Sequence, residues 1–378
     1  MKQMYQRIKT LASFFCIVML PSVGSAQWQS EASLSTSIES NALRSSIPSK
    51  DRITERTLYV AHQWGGTELN GLLSCQLNSL TFADLAEHNY SVHSFGLTGQ
   101  YDFAQSGWLR SGLQAKIRQG SETYTTLDYS EFEGFLDARI PFENYLTVVT
   151  GYTLRRRDYR VVSELDNREH LLYGGVTVPF SDGTSVTLLT EGGYKFYSVP
   201  VSNAALSGTP VGNAAKVGQW VNTVRLSRPL VDNLGLMVYG RGRKNFGDKD
   251  VYISGLSSGY SSENDLYDDR YGYESVELGG MLSCQLARTL LFRIGYDYAD
   301  KKYQQMPLDL DGNLIAGIGS RGDTVKQLWC RAEKRFSFSG NQRQLTLYSE
   351  YTWLNNDSND PSFRYKASSM TVGVDVVF

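Results

Sequence analysis

Thirteen successive segments of this chain alternate apolar and polar residues with a period of two, and each has one face suited to hydrocarbon and one suited to water. The last is the clearest: Met370, Val372, Val374, Val376 and Phe378 share one side, opposite Thr371, Gly373 and Asp375. Further back, Leu328, Cys330 and Ala332 oppose Trp329, Arg331, Glu333 and Arg335, while Phe292, Ile294 and Tyr296 oppose Arg293, Gly295 and Asp297. The pattern reaches back to Phe95, Leu97, Tyr101 and Phe103, set against Thr98, Gln100 and Asp102. Strands with a lipid-compatible face cannot leave backbone groups unpaired in hydrocarbon, so the sheet must close on itself.

The connections alternate as strictly as the residues. Short turns at 104–107, 141–144, 181–183, 231–233, 287–289 and 339–343 interleave with polar loops at 121–128, 160–169, 198–217, 245–273, 303–323 and 355–365. Short turns on one side and long loops on the other are the asymmetry of a transmembrane up-and-down β-barrel, an all-β fold. A soluble sandwich offers no reason for it.

Parity constrains the strand number. The final strand and the strand starting at Tyr90 both run toward short turns, so an odd number of strands precedes Tyr90. One strand at 57–64 gives fourteen in all. Sixteen is the alternative, with 69–77 and 79–87 as a further hairpin, because LSCQL at 73–77 recurs at 282–286. Fourteen is preferred, since those extra strands are short and Asp84 sits poorly in one. Residues 27–55, Ser-rich and without a clear period, read as a periplasmic tail, which leaves 56–378 for the barrel.

Residues 1–26 read as a secretory signal: Lys2, Arg7 and Lys9, an apolar run at 11–20, then Gly24 and Ala26 before a cut. The run is too short to cross a bilayer as a helix. Removing those three basic residues takes the formal charge from −2 to −5, which argues against nucleic acid as a partner. With 24 Tyr, 16 Phe and 35 Gly against 9 Pro, the composition suits strands whose alternate residues meet lipid. Three cysteines remain (Cys75, Cys284 and Cys330); the odd number argues against a disulfide framework, and the last two fall on non-adjacent strands.

The face opposite the apolar one becomes the barrel interior. It carries Arg110, Lys116, Arg118, Arg139, Arg155, Arg157, Lys195, Arg225, Arg241, Arg243, Arg293, Arg331 and Arg335. Its acids are Glu131, Glu133, Asp137, Glu191, Glu277, Asp297, Glu333, Glu350 and Asp375. Such charges require a wet interior or mutual pairing, because an isolated charge in a dry site costs several kcal/mol. Arg155 with Arg157, and Arg241 with Arg243, fall at outer strand ends, where arginine rings set anion preference in pores. The loops at 198–217 and 245–273 are long enough to fold inward and narrow the lumen. Ser91 and His93 share the lipid-facing side near the outer rim, but no acid can be assigned to orient the histidine, and the expectation is no enzyme. No Gly-rich phosphate loop, metal-ligand spacing or paired Cys motif occurs, so neither cofactor nor metal is expected.

The closing strand, alternating to a terminal Phe378, resembles the signal by which Gram-negative outer-membrane β-barrels are recognised for insertion. That resemblance covers about ten residues. It implies an outer-membrane location, contact with outer-membrane lipid and lipopolysaccharide, and recognition of Met370, Val372, Val374, Val376 and Phe378 by the insertion machinery. The function that follows is a porin-like channel for small hydrophilic solutes, with an anion-biased entrance as the finer expectation. The last two hairpins, through 296–303 (YDYADKKY) and 356–365 (NDSNDPSFRY), also resemble the barrels of surface lipoprotein assembly modifiers. Those barrels usually follow a helical-repeat domain, and no 34-residue period exists here. Export or display of a polysaccharide or lipoprotein with periplasmic partners is therefore the alternative, and a closed structural barrel the third reading.

Overall fold

A computed structural model describes residues 27–378 other than 104–105, 123–124, 126, 143–144, 162, 199–215, 249–269, 304–318 and 339–342. The expected signal at 1–26 lies outside the described residues. Strands follow one another as β1 (Gln27–Glu39), β2 (Asp51–Gly65), β3 (Leu69–Phe82), β4 (Tyr90–Phe103), β5 (Gly107–Gly120), β6 (Tyr129–Phe142), β7 (Leu146–Tyr159) and β8 (Asn167–Pro179). They continue as β9 (Ser185–Tyr197), β10 (Lys216–Val231), β11 (Leu234–Gly247), β12 (Tyr273–Ala287), β13 (Leu290–Tyr303), β14 (Gly322–Phe338), β15 (Arg343–Ser358) and β16 (Tyr365–Val377). Each pairs antiparallel with its chain neighbours, and β1 pairs with β16 to close the barrel. Closure leaves no sheet edge, so the backbone bonds are satisfied without water.

The N-terminal expectation is overturned. Residues 27–55 are not a tail: β1 pairs with β2 from Gln27↔Gln63 to Glu39↔Asp51, and with β16 from Glu31↔Val377 to Glu39↔Ser369. The barrel thus begins at Gln27 rather than at 56. The serines hid it, because Ser33, Ser35 and Ser37 occupy the interior face and Ser30 and Thr36 dilute the outward one. The preferred count of fourteen gives way to sixteen, composed differently from the alternative. Leu69–Phe82 is one continuous strand, and 79–87 supplies no strand of its own. Asp84 lies in the loop after β3, where its N–H donates to the Asp51 carboxylate at 3.0 Å. Ala83 and Leu85 donate to the same carboxylate, at 3.0 and 2.9 Å. One acid at the head of β2 thereby organises the whole loop.

Proline falls where a closed barrel tolerates it. Pro141 and Pro179 stand at strand ends, and Pro229 sits at a register shift before Val231. In the β8–β9 turn, Gly183 adopts φ 80°, a left-handed conformation that glycine takes without strain.

The outward face forms a belt of Leu, Val and Ile in which Leu113, Leu136, Leu172, Leu188 and Leu278 are all exposed. For a water-soluble protein that surface is untenable; for a barrel in lipid it is the required solvent match. At the turn-side end, Trp28, His62 and Trp64 stack with ring centroids 4.5 and 5.9 Å apart. At the loop-side end, Tyr194, Phe196 and Phe246 cluster on β9 and β11. No helix among the described residues is long and apolar enough to cross a membrane.

Candidate functional site

Register decides which charges meet. Lys116, Glu131 and Arg157 fall opposite one another across β5, β6 and β7, and Gln114, Glu133, Arg155 and Glu169 form the next row. Glu131, among the most buried acids, receives Lys116 at 3.1 Å and Arg157 at 2.6 Å. Arg155 reaches Glu133 at 3.0 Å and Glu169 at 2.9 Å. Lower in the same wall, Arg110 pairs with Asp137 at 2.9 Å, and the Tyr173 hydroxyl donates to that carboxylate at 2.7 Å. Arg118 lies 3.7 Å from Asp128 and stacks over Tyr90 with its guanidinium carbon 4.2 Å from the ring centre. Asp128 precedes β6, and burial pushes its carboxyl up from its ordinary range against the pull of the Gly120 N–H, Arg118 and Arg160.

Two further clusters continue the wall. Glu277 holds Arg241 at 3.1 Å and Arg243 at 2.7 Å. Glu333 gathers Arg293 at 3.0 Å, Arg331 at 2.7 Å and Arg335 at 3.6 Å, and Arg331 also reaches Glu350 at 3.3 Å. Asp297 accepts from the Tyr239 hydroxyl at 2.8 Å and the Trp329 indole at 3.1 Å. All the interior basic residues expected from the alternation thus fall on one face of the sheet, and most are joined to carboxylates. Arg139 and Arg225 are exposed and have no carboxylate within ion-pair distance among the described residues.

The rest of the wall differs. From β15 through the β16–β1 seam to β4, no strand turns a basic residue inward, while Glu31, Glu39, Asp51, Glu55, Asp102, Glu350 and Asp375 all face in. Hydroxyls and amides hold most of them: Ser33 donates to Asp375 at 2.6 Å, Gln29 to Glu31 at 2.8 Å, and Asn70 and Gln100 to Asp102 at 2.8 Å each. Glu31, Ser33, Thr57, Tyr59, Gln76 and Asp375 line a recess of about 510 Å³ in this wall. Of the acids just named, reading 27–55 as a tail hid Glu31, Glu39, Asp51 and Glu55.

The loop-side mouth is narrowed from within. The turn Arg270–Gly272, the described end of the β11–β12 loop, folds onto the lumen wall. There the Tyr271 hydroxyl donates to Glu169 at 2.7 Å, and Arg270 pairs with Glu191 at 2.9 Å. Tyr271 reaches this place because position 193 is glycine; a Cβ there would lie 2.2 Å from its hydroxyl. Fully buried Gln219 ties the turn down, donating to Asn245 at 2.8 Å and to the backbone carbonyls of Arg270 and Tyr273. The expected inward folding of 245–273 is seen in this segment; 199–215 and 249–269 lie outside the described residues. Across the mouth, Ala42 of the β1–β2 loop packs with Ile53, Leu80, Phe82, Tyr90 and Val92.

A tyrosine collar surrounds these elements, and the sequence reading missed it. Tyr90, Tyr129, Tyr159, Tyr197, Tyr273 and Tyr303 stand at loop-side strand ends, face inward and are buried. Cations lie over their rings: Arg157 on Tyr129 at 4.4 Å, Lys195 on Tyr197 at 4.9 Å, Lys301 on Tyr273 at 4.4 Å and Arg321 on Tyr303 at 3.9 Å. The available signal was a basic residue two before a strand-ending tyrosine, as at 157/159, 195/197 and 301/303.

Ser91 and His93 are hydrogen-bonded at 3.2 Å on the outward face. Their cross-strand partners are Ser79 and Gln119 for the serine, and Leu77 and Ile117 for the histidine; none is a carboxylate. Cys75, Cys284 and Cys330 are free thiols on outward positions. Met370, Val372, Val374 and Val376 face outward on β16, and the Phe378 N–H beyond it donates to Ser30 O at 2.9 Å. Among the described residues, no group of His, Cys, Asp and Glu has the makings of a metal site.

No protein-family model and no curated protein matches the sequence. Solved structures match the fold along almost its whole length. OccAB1 of Acinetobacter baumannii superposes with TM-score 0.55 at 8% identity, covering 94% of this chain and 97% of that one. OccK8 (OprE) of Pseudomonas aeruginosa gives 0.54 at 9% identity over 94% and 99%. A loop-deletion mutant of OmpT, an outer membrane protein of Vibrio cholerae, gives 0.51 at 11% identity over 94% and 100%. The architecture shared with these proteins is a closed antiparallel β-barrel.

Proposed function

We propose that this barrel is an outer-membrane channel for small hydrophilic solutes, and that its selectivity comes from charge separated across the lumen. The observation that carries the reading is the interior wall. Charged side chains line a closed barrel whose outer face is apolar, with basic residues confined to β5–β14 and the opposite strands acidic or neutral. Such a wall holds water and imposes a transverse field, which orients a solute carrying both signs of charge. Small zwitterions are the solute class that fits.

Anion bias at the entrance depends on positive charge that the wall leaves uncompensated. Arg155 and Arg157 are neutralised by Glu133, Glu169 and Glu131, whereas Arg241 and Arg243 share the single carboxylate of Glu277 and keep a positive excess between them. That excess, with Arg139 and Arg225, which have no carboxylate in reach among the described residues, is what acts on a passing anion. Export by a signal at residues 1–26, and recognition of the β16 residues with Phe378 by insertion machinery, belong to the same proposal.

The test is single-channel conductance of the refolded protein in a planar bilayer, with a salt gradient for ion selectivity and vesicle swelling for solutes. Stable steps, with zwitterions passing faster than uncharged sugars of equal size, are expected. Silence from a barrel that resists unfolding in detergent would overturn the channel and leave the closed structural barrel.

A further inference from the structure

One sector of the outward face departs from the apolar belt. Across β2, β3, β4 and β5, Arg56, Ser79, Ser91 and Gln119 are successive cross-strand partners, so a four-strand row facing lipid is polar throughout. The row above begins with Thr54 and Thr81, and Thr36 of β1 lies within 3.4 Å of Thr54. Arg52 projects from the same side of β2 nearer the rim, and His93, bonded to Ser91, lies just below the row. Leu58 and Leu77 restore the apolar pattern beneath Arg56 and Ser79.

Height places this patch at the loop-side boundary of the membrane. Arg56 is eight residues above Trp64 of the lower aromatic cluster, about 26 Å along a strand rising roughly 3.3 Å per residue. At a tilt near 40° that is about 20 Å of an apolar band roughly 25 Å tall. The long arginine stem carries the charge the remaining distance upward. At the loop-side ends of β9 and β11 the outward face instead carries the aromatic cluster Tyr194, Phe196 and Phe246.

Some charges elsewhere on this outward surface are paired, Arg156 with Asp158 at 3.0 Å and Lys244 with Glu274 at 2.9 Å, while Arg168 and Lys326 are exposed without a carboxylate in reach among the described residues. Arg52 and Arg56 have no carboxylate within ion-pair distance among the described residues, and both are exposed. A guanidinium at the lipid boundary favours an anion in the leaflet itself, and phosphate matches its fork of donors. The hydroxyls and amide beside it suit a sugar.

We propose that Arg52 and Arg56, with Ser79, Ser91 and Gln119, bind the phosphorylated sugar headgroup of an outer-leaflet glycolipid of the lipopolysaccharide type. The proposal rests on the membrane orientation inferred above but not on transport. The refolded full-length barrel is titrated in micelles with bisphosphorylated lipid A and followed by native mass spectrometry. Dephosphorylated lipid A and phosphatidylglycerol serve as comparison ligands.

Retention of the phosphorylated form above both comparison ligands is expected, falling by about tenfold in Arg52→Gln/Arg56→Gln and recovering partly in Arg52→Lys/Arg56→Lys. Resistance to detergent unfolding shows that each variant is folded. Conductance of the glutamine variant stays at the wild-type level, because both residues face away from the lumen. Equal binding by wild type and the glutamine variant, or no preference for the phosphorylated form, overturns the site. A protein that binds but does not conduct sinks the channel reading alone, and one that conducts without binding sinks only this one.

Discussion

The two arcs of the interior wall solve the same problem in opposite ways. Strands β5–β14 neutralise buried acids with guanidinium and ammonium groups from the next strand; Glu131 alone draws Lys116, Arg155 and Arg157. Strands β15–β4, running through the seam, hold most of theirs with hydroxyls, amides and backbone N–H groups, as Asp375 is held by Ser33 and Asp51 by the loop after β3; Glu350, reached by Arg331 of β14, marks the boundary. Ion pairing braces a wall and cancels part of its field, whereas dipolar solvation keeps the negative charge available to the lumen. The first arc is therefore mainly mechanical, and the second mainly electrostatic.

The sharpest way to break that comparison is Glu131→Gln, which leaves three cations around a neutral amide. It is expected to cost about 3–5 kcal/mol in urea unfolding from micelles. An effect near zero would show that the first arc is no brace. Glu277→Gln removes the partner of both Arg241 and Arg243 at a more open position, and a loss of about 1.5–3 kcal/mol follows in the same measurement. Tyr271→Ala deletes the inward turn's contact with Glu169; it costs about 1–3 kcal/mol and raises single-channel conductance. Unchanged conductance would show that the turn does not limit the opening.

Smaller effects sharpen the electrostatic side. Arg139→Glu/Arg225→Glu reverses the exposed positive charge of the first arc and shifts the reversal potential toward cations, on the order of 10 mV in a tenfold salt gradient. Glu55→Gln in the second arc changes unfolding by less than about 0.5 kcal/mol, while moving selectivity slightly toward anions. If Glu55→Gln destabilised as much as Glu131→Gln, the distinction between the arcs would fail.

The outward and inward faces of β4–β16 were legible in the sequence because a period of two is a local property. Leu113 and Gln114 face opposite ways whatever strands lie beside them. The odd parity before Tyr90 was legible too, since the side on which the chain turns is fixed by loop length. β1 was not. Its serines carry no apolar stripe, and it becomes a strand because β2 and β16 present paired edges on either side, one of them more than 300 residues away in the chain.

The interior charges were likewise named from alternation alone, but their meaning was not. Whether Arg155 is a free positive charge or a brace depends on Glu133 and Glu169 falling opposite it, and register is set by turns and closure across the whole sheet. The approach of Tyr271 to Glu169 depends on a loop returning across two strands to a glycine at 193. The sequence by itself determined a membrane barrel with a charged interior, because residue periodicity and loop length are local. Only the tertiary structure decided the count of sixteen, the partner of each charge and the shape of the mouth, because those are properties of strands distant in the chain being brought side by side.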